Sequence, residues 1–477
     1  MTIEAGPTMA SAPRTRPVRR SPTDLPFTFA DRGLAEALGV ERSEPGWLRA
    51  DRLEAWEAFA SLPIEANQLY TPYIDLRAAA LETARPYVLT GFEPAGRPSS
   101  TTGGELPAGT AAVIELVEDR VERLVLGEAA QRAGVTLETF GAALARDPDG
   151  LRRDLDGGAS LPAGDKLAML ARGFWSQGVR LSIPDGVTLA EPILVRWQSS
   201  VPERALITRT LVRLGEGARA ALVEEQVPSG PPIECAAGET VPQGLFHGTT
   251  EVILERDAHL AMASIQDLGA SQVVFHHRHA SIREGATLRW ALAQLGGRLV
   301  RSRVDNRLVG DRGSVEQVEI VFGGEEQLFD LTSYTRHLGR DTTGNLLSKG
   351  ALLDRARSYL KGLITIEKSA VGTDSFLGEF GMNLSRAARA VAIPSLEIDQ
   401  PDCRRAAHSS SVGPIDPGQL FYLESRGIPV DEARKFVVLG FLEPVVARVP
   451  LDSTRDRLRE LLDAKWAAGA TGAAEAA

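Results

Sequence analysis

The chain has 477 residues, a formal net charge of −10 at pH 7 and 43% hydrophobic residues, as in a globular protein. This length exceeds what one compact core usually holds, so it predicts two or three domains or one elongated repetitive domain. The acidic balance, with a pI of about 5.4, argues against a nucleic-acid partner. No apolar run is long enough to predict a transmembrane helix or a membrane partner.

The two cysteines, Cys235 and Cys403, limit the metal and redox chemistry of the chain. They are too few for a four-cysteine zinc site or for holding an iron–sulfur cluster unaided. They form no disulfide framework, which predicts a reducing, cytoplasmic compartment. The basic segment Pro13–Pro22 has no apolar run after it, so no secretory signal is predicted. Residues 1–23 and 471–477 are expected to be disordered tails.

Residues 24–165 are expected to form a mostly helical N-terminal region. Apolar residues recur at three- and four-residue spacing in LAEALGV, WLRADRLEAWEAFASLPI and YIDLRAAALETA. Ala111–Leu126 fits either a hairpin or a helix. Thr136 is a candidate N-cap for the helix LETFGAALARD, and Asp165–Trp175 predicts a further helix.

From Gly178 to about residue 400 the chain is a succession of short β-type runs separated by turns. Similar turns recur, and Gly285 lies 28 residues after Asp257 and 28 before Gly313. A recurring turn among short strands is typical of a stacked solenoid. We therefore predict a right-handed parallel β-helix core over residues 166–400, with an antiparallel sandwich or barrel as the alternative.

Residues 401–470 are expected to form a C-terminal helical region. Helical periodicity begins at Pro417, and Gly427 is a candidate stop. Asp431 is a candidate N-cap for the next helix, which Pro444 is expected to interrupt. The predicted fold class is thus mainly β, with a β-helix core flanked by helical regions at both ends.

Several enzyme signatures are missing from the sequence. The segment closest to a phosphate-binding loop, GASLPAGDK at 158–166, has the wrong spacing, so this chain is not expected to hydrolyse ATP. The motifs G-x-S-x-G, H-E-x-x-H and C-x-x-C do not occur either.

The histidines are the remaining candidate ligands. The run HHRH at 276–279 is expected on a solvated strand face, because two imidazoles on one face are too few for a closed metal site. Hydrogen-bonded surface or groove positions are expected for His247, His259 and His337. His408 differs, because the small residues around it would leave its ring accessible at the joint between strands and helices. Either a structural role or a ligand role fits His408.

Two further groups are expected to be inert. Cys403, five residues before His408, fits a weakly buried thiol as well as a soft ligand. The carboxylate pairs Asp399/Asp402 and Glu316/Glu319 are typical of turns or solvated faces.

The stretch PSLEIDQPDCRRAAHSSSVGPIDPGQLFYLESRGIPVDEARKFVVLGF resembles the C-terminal signature of the SufB/SufD family of iron–sulfur cluster assembly scaffolds. Segments 178–193 and 332–366 resemble the family's entry into its β-helix and its late coils, in the family's order. The matching positions are Pro394, Leu396–Ile398, His408, Val412–Gly413, Ile415–Asp416, Gln419–Leu423 and Arg426–Gly427.

The resemblance implies a SufD-like chain, because Ala406 and Ala407 stand where a SufB-like chain carries its cysteine motif. It implies that His408 helps to build a transient iron–sulfur cluster shared with a SufB-like sister subunit. Cys403 matches no family cysteine well and is the weaker candidate ligand. No motif assigns a flavin.

The resemblance also implies that the chain is a non-catalytic scaffold subunit with partners. The β-helix would pair with the sister subunit, or with a second copy in a homodimer, and the C-terminal region would dock a SufC-like ABC ATPase that hydrolyses the ATP. The residues that fall in the docking segment are Gln419, Leu420, Phe421, Tyr422, Arg426 and Gly427. A β-helix polysaccharide lyase or hydrolase and a non-catalytic solenoid adaptor are the alternatives.

Overall fold

The computed structural model describes residues 27–87, 104–156, 161–231 and 242–475. The predicted tail at 1–23 and Cys235 lie outside these ranges. Strands account for 41% of the chain and helices for 25%, so the fold is mainly β, as predicted.

The helices lie at the two ends of the chain. They are α1 Arg32–Glu41, α2 Gly46–Ser61, α3 Glu128–Arg132, α4 Phe140–Arg146, α5 Pro148–Asp156, α6 Lys166–Phe174, α7 Pro417–Ser425, α8 Val430–Val446 and α9 Asp452–Glu475, with a 3₁₀ turn at Thr71–Tyr73.

The strands fill the middle of the chain. They are β1 Arg85–Pro86, β2 Ala112–Val117, β3 Arg120–Leu126, β4 Thr136–Thr139, β5 Gln177–Ile183, β6 Ile193–Gln198, β7 Arg204–Leu214, β8 Arg219–Val227, β9 Gly244–Leu254, β10 His259–Gln266, β11 Gln272–Ile282, β12 Thr287–Gln294, β13 Leu299–Leu308, β14 Ser314–Gly323, β15 Leu328–His337, β16 Thr343–Leu352, β17 Arg357–Ile366, β18 Asp374–Asn383, β19 Arg389–Ile398 and β20 Arg405–Gly413.

The strands form a parallel β-solenoid of about eight turns. Each coil contributes one strand to each of two sheets. Sheet A contains the odd-numbered strands from β5 to β19, and sheet B contains the even-numbered strands from β6 to β20. Neighbouring coils pair in parallel, for example Val273 with Leu299 and Leu260 with Leu288. The antiparallel sandwich alternative is therefore wrong; among the described strands, antiparallel pairing occurs where β2 meets β3 and β4 meets β5.

The recurring turn seen in the sequence stacks from coil to coil. Asp257, Gly285, Arg312, Asp341 and Gly372 all have positive φ angles, between 53° and 75°. Each backbone N–H in this ladder donates to a carbonyl of the next coil; the Gly285 amide, for example, donates to Asp311 at 2.9 Å. The left-handed position of the third turn in this ladder is Arg312 rather than Gly313, although Gly313 sits in the sequence repeat.

A helical layer covers the outer face of sheet A. Phe27, Leu48 and Phe174 pack with strand residues such as Ile207 and Phe275 in one apolar cluster. The segment YIDLRAAALETA contains only the 3₁₀ turn and irregular backbone, so the helix predicted there is wrong. Ala111–Leu126 is a hairpin, formed by β2 and β3.

The strand β4 also differs from the prediction of a helix beginning after Thr136. Thr136 pairs with Ser182 of β5 in register, and this tertiary pairing outweighs the local helical pattern. Helix α4 begins after Thr139, whose hydroxyl accepts a hydrogen bond from the Ala142 amide at 3.1 Å.

Helices α8 and α9 cover the outer face of sheet B, where Val438, Leu442 and Leu458 pack on residues such as Ile320 and Phe322. Asp431 lies in the first turn of α8 rather than at its N-cap, and Pro444 lies inside the last turn without interrupting the helix.

The predicted boundary at residue 400 differs from the structure, because β20 adds a strand of the solenoid within the region expected to be helical. Helix α9 continues to Glu475, into the segment 471–477 that was predicted as a tail, and residues 476–477 lie outside the described ranges. No described helix is long and apolar enough to cross a membrane.

Candidate functional site

The last coil of the solenoid, formed by β19 and β20, carries the candidate site. β19 and β20 are the terminal strands of sheets A and B, so each has only one strand neighbour among the described residues. Edge strands of this kind expose backbone groups that can pair with another chain. The coil is also the least buried part of the solenoid, with Ile398 46% and Val412 41% exposed.

His408 lies on β20, in register with Leu377 of the coil below. Because side chains alternate along a strand, His408 shares the face of Leu377, which is the inner face of the solenoid. No further coil covers this face, so His408 is exposed. The sequence interpretation of an accessible ring is thus confirmed, but the ring is held by a strand rather than by a joint between strand and helix.

Cys403 lies in the turn before β20 and is partly buried. It packs, together with Leu396 and Ala406, against the small apolar cluster that contains Leu377. Cys403 and His408 therefore both belong to the last coil and both lie around Leu377.

A buried carboxyl group lies one coil below the site. Glu379 pairs in register with Ser410 of β20, and one of its oxygens accepts a hydrogen bond from the Ile393 amide at 2.8 Å. Burial raises the pKa of Glu379 to about 8, against the weaker opposing effects of this hydrogen bond and of Lys361. A Cβ at Gly362 would lie 2.8 Å from a Glu379 oxygen, so the carboxyl needs a glycine opposite it.

Helix α7 follows the last coil and is almost unpartnered, because none of its side chains is buried. Phe421 is 73% exposed and Tyr422 58% exposed, and the Arg426 guanidinium lies 5.3 Å from the Tyr422 ring centroid. Phe436 of α8 is 58% exposed as well. Gln419, Arg426 and Gly427 are also exposed, and Leu420 is half-buried.

A cavity of about 330 Å³ opens beside α7, between the C-terminal helices and the last coils. Its apolar lining comes from Leu353, Leu384, Pro414, Ile415, Leu420 and Trp466. Asp431 and Arg434 add a charged pair to the lining.

The histidines 276, 277 and 279 are buried, so the prediction of a solvated strand face is wrong. His276 points into the solenoid, whereas His277 and His279 lie under the N-terminal helical layer. The His277 Nε2 atom lies 2.6 Å from Asp305, and its Nδ1 atom lies 3.4 Å from Asp165. Sequence reasoning missed this cluster because a layer built from distant residues covers the strand.

His247 and His337 are also fully buried rather than on the surface. The His247 ring nitrogens lie 3.1 Å from the Phe275 carbonyl and 2.8 Å from the Leu167 carbonyl. His337 bonds to the hydroxyls of Thr342 and Ser375. Burial lowers the pKa of both histidines to about 4. The hydrogen-bonded character expected for them is confirmed, while the surface position is not.

Glu319 is buried on the inner face of β14, so its expected place on a solvated face or turn is wrong. It belongs to a polar network inside the solenoid that was not predicted from the sequence. Within the described ranges, no group of three or more His, Cys, Asp or Glu side chains has an arrangement that could hold a metal ion. His408 would therefore need donors from outside the described chain to complete a metal site.

The fold and the site together define a class: parallel β-solenoids with helical layers on both sheets and an open last coil that presents a histidine. Residues 196–441 match the family model described as SUF system FeS cluster assembly, SufBD core domain. The match covers just over half of the chain, and the chain belongs to this family. The resemblance found in the sequence is confirmed.

Relatives agree with the family match. The chain is 28% identical over 301 residues to the iron–sulfur cluster assembly protein SufD of Bacillus subtilis, covering 63% of this chain and 67% of that protein. It is 33% identical over 227 residues to a SufBD family protein of Mycobacterium tuberculosis, covering 46% and 57%. A SufBD family protein of Staphylococcus epidermidis is 23% identical over 447 residues, covering 90% and 92%. The chain thus spans little more than half the length of the mycobacterial relative.

Proposed function

We propose that this chain is the SufD-like subunit of a SufBCD-type complex that assembles iron–sulfur clusters. In this proposal the last coil pairs with a SufB-like subunit, and His408 supplies a ligand to a transient cluster at that contact. The observation that carries the proposal is an exposed imidazole on the free edge strand of a SufBD-family solenoid.

The chemistry of the last coil supports this role. A neutral imidazole is a borderline ligand that binds iron, and cluster assembly needs ligands that exchange rather than a closed cage. One histidine cannot hold a cluster, so thiolates from the partner would supply the remaining ligands. Cys403 is the second, weaker candidate on this chain, since it lies in the same coil. The cluster is cargo of the complex, and the thiol chemistry fits a cytoplasmic location.

The test is co-expression of His408→Ala with a SufB-like and a SufC-like partner, followed by iron and sulfide analysis of the purified complex. We expect the complex to form normally and its iron and sulfide content to fall at least tenfold. The matched control is His259→Ala, which removes a partly exposed histidine on β10, five coils before β20 in the same sheet. Normal iron and sulfide content in the His408→Ala complex would rule out the ligand role.

The ATPase would dock on α7 and the start of α8. Phe421, Tyr422 and Phe436 form an exposed aromatic surface there, and aromatic residues are enriched at the centres of protein interfaces. Isolated exposed apolar residues are ordinary, but here two adjacent aromatic side chains on α7 and a third on the contacting helix α8 are all exposed. ATP hydrolysis then belongs to the partner chain.

The docking surface is tested by a pull-down of the SufC-like ATPase with Phe421→Asp. We expect at least a tenfold loss of ATPase binding with no change in the sister-subunit contact. Val40→Asp is the control, because Val40 is 64% exposed on α1, in the N-terminal layer. Unchanged ATPase binding by Phe421→Asp would reject α7 as the docking site.

Family membership favours this role over the polysaccharide lyase or hydrolase and over the cluster-free adaptor. The SufD-like assignment rests on Ala406 and Ala407 before His408. In the absence of a SufB-like subunit, the same free edge could pair with a second copy of this chain.

A further inference from the structure

A polar network crosses the interior of the solenoid between β8 and β14. Arg278 of sheet A is 1% exposed, and its Nη2 atom donates to Ser264 of sheet B at 2.8 Å. The Ser264 hydroxyl donates to Glu224 at 3.0 Å. On the other side, Ser302 donates to Glu319 at 2.8 Å, and Gln294 donates to the same carboxyl oxygen at 3.1 Å.

The network is inside the solenoid and not under either helical layer. Strand alternation places His276 and Arg278 on the face of Val274 and Ala280, which belong to the interior apolar core. On sheet B, the neighbouring residue Glu225 faces outward and accepts a hydrogen bond from Thr454 of α9 at 2.6 Å. Glu224 therefore faces inward.

Polar atoms of this network remain without a hydrogen-bond partner among the described residues. They are Gln226 Nε2, His276 Nε2, Arg278 Nε, Gln294 Oε1 and Glu319 Oε2. All five side chains are less than 5% exposed. A buried polar group without a partner is unfavourable, so five in one connected network would be a large penalty for a native interior.

Other buried polar side chains in the same interior form hydrogen bonds directly with one another. Trp290 donates to Asn306 at 3.0 Å, Asn306 donates to Gln317 at 3.0 Å, and Gln317 donates to Ser333 at 2.7 Å. In the network around Arg278, by contrast, the five unpartnered atoms lie in the interior region between β8 and β14, on β8, β11, β12 and β14.

We propose that ordered water molecules occupy this region and complete the hydrogen bonds of the network around Arg278. Water suits the site because the free atoms include both donors and acceptors. The His276 Nδ1 atom accepts from Arg278 at 3.1 Å, which leaves a hydrogen on Nε2, whereas Gln294 presents an oxygen. Buried waters typically make about three hydrogen bonds to such groups.

The charges of the network favour a neutral occupant. The Arg278 guanidinium lies 3.8 Å from Glu224, which balances it. Burial raises the pKa of Glu319, which favours its neutral form, and burial lowers the pKa of His276 well below its usual value. An ion in this region would lack a counter-charge, which is costly in a buried site.

The proposal is tested by a high-resolution crystal structure of the full chain and by deuteron magnetic relaxation dispersion, which counts long-lived internal waters. We expect solvent peaks within about 3.2 Å of at least three of the five atoms. In the variant Gln226→Met, a side chain of similar length without hydrogen-bonding atoms should remove the nearest peak and reduce the long-lived water signal. Gln131→Met, on exposed α3, should leave both unchanged.

Two crystallographic results would overturn the proposal. One is a dry interior in which the five side chains bond to each other. The other is density for an ion or a larger solute instead of water. An equal relaxation signal from Gln226→Met and the unaltered chain would also contradict it.

Discussion

The imidazole of His277 links the N-terminal helical layer to sheet A: its Nε2 atom lies 2.6 Å from Asp305, one coil away, and its Nδ1 atom lies 3.4 Å from Asp165. Asp165 also caps α6 by accepting a hydrogen bond from the Ala168 amide at 2.7 Å. Arg303 contacts both carboxylates, at 2.5 Å and 2.8 Å, so two cations balance two anions. Most of this cluster is buried.

We expect His277→Leu to lower the free energy of unfolding by about 3–5 kcal/mol, because Arg303 alone would then face two buried carboxylates. Urea unfolding at pH 6 measures the loss, with His259→Leu as the control. A change below about 1 kcal/mol would show that the cluster does not depend on the imidazolium.

The pH range of that contribution follows from the pKa directions. The nearby carboxylates raise the pKa of His277 above 6.5 despite its burial, so its contribution is complete below 6.5 and is lost as pH rises through the raised value. Arg303 and His277 lower the pKa of Asp165 and Asp305 below 3.8 despite burial, so their contribution is lost on acidification below that value. The difference between wild type and His277→Leu should therefore be largest between about pH 4 and 6.5 and shrink at higher pH.

His279 should act in the opposite direction. Burial lowers its pKa from 6.5 to about 4, so the unfolded chain binds a proton more readily than the folded one. Stability from this residue is present above pH 6.5 and is lost as pH falls toward 4, by roughly 3 kcal/mol. We expect His279→Phe to reduce the loss of urea resistance between pH 7 and pH 4. Identical pH profiles for the variant and the wild type would contradict this assignment.

Glu379 should make the stability of the solenoid end fall as pH rises from 4.5 to about 8. Its pKa is about 8 in the folded chain and 4.5 in the unfolded chain, so the folded state holds the proton more tightly. Stability from the neutral carboxyl is present below pH 4.5 and is lost as pH rises toward 8. We expect the melting temperature of Glu379→Gln to change less between pH 5 and pH 8 than that of the wild type. A variant that melts with the same pH dependence as wild type would refute the raised pKa.

Gly362 and Gly440 form a matched pair for packing. An added Cβ at Gly362 would meet Leu377 at 2.5 Å and Glu379 at 2.8 Å, whereas at Gly440 of α8 nothing lies within 4 Å. We expect Gly362→Ala to destabilise the chain by about 1–3 kcal/mol through overpacking. Gly440→Ala should stabilise it by about 0.5–1 kcal/mol, because alanine favours a helix. Thermal unfolding of both variants checks the pair. Equal changes in stability would show that the side chains around Gly362 can move to make room for the added Cβ.

The parts of the fold that could be predicted from sequence depend on short-range signals. The stacked turn could be predicted from the local sequence pattern around Asp257 and Gly285, because successive coils have a left-handed residue at the same position. The start of α7 at Pro417 and its stop near Gly427 are local signals as well, and Gly427 has a φ of 84°.

Burial of the histidines could not be predicted, because it depends on chain far away in sequence. The local sequence predicts that His277 is a solvated strand residue, but Asp165, more than a hundred positions earlier, packs over it. The strand character of β20 was missed for a related reason: its small residues RAAHSSSVG carry little β signal, and pairing with β18 determines their conformation. The open position of His408 is a property of the last coil as a whole.

The free edge of the last coil offers a test that separates the two proposed contacts. Lysine on an edge strand discourages pairing with another chain. Ile398 and Val412 are both large, exposed apolar residues on β19 and β20. We therefore expect Ile398→Lys with Val412→Lys to abolish copurification of the SufB-like subunit while leaving binding of the SufC-like ATPase intact. Phe421→Asp should give the reverse pattern. If the lysine variant kept its sister subunit, the contact would have to lie elsewhere on the solenoid, and His408 would lose its proposed partner ligands.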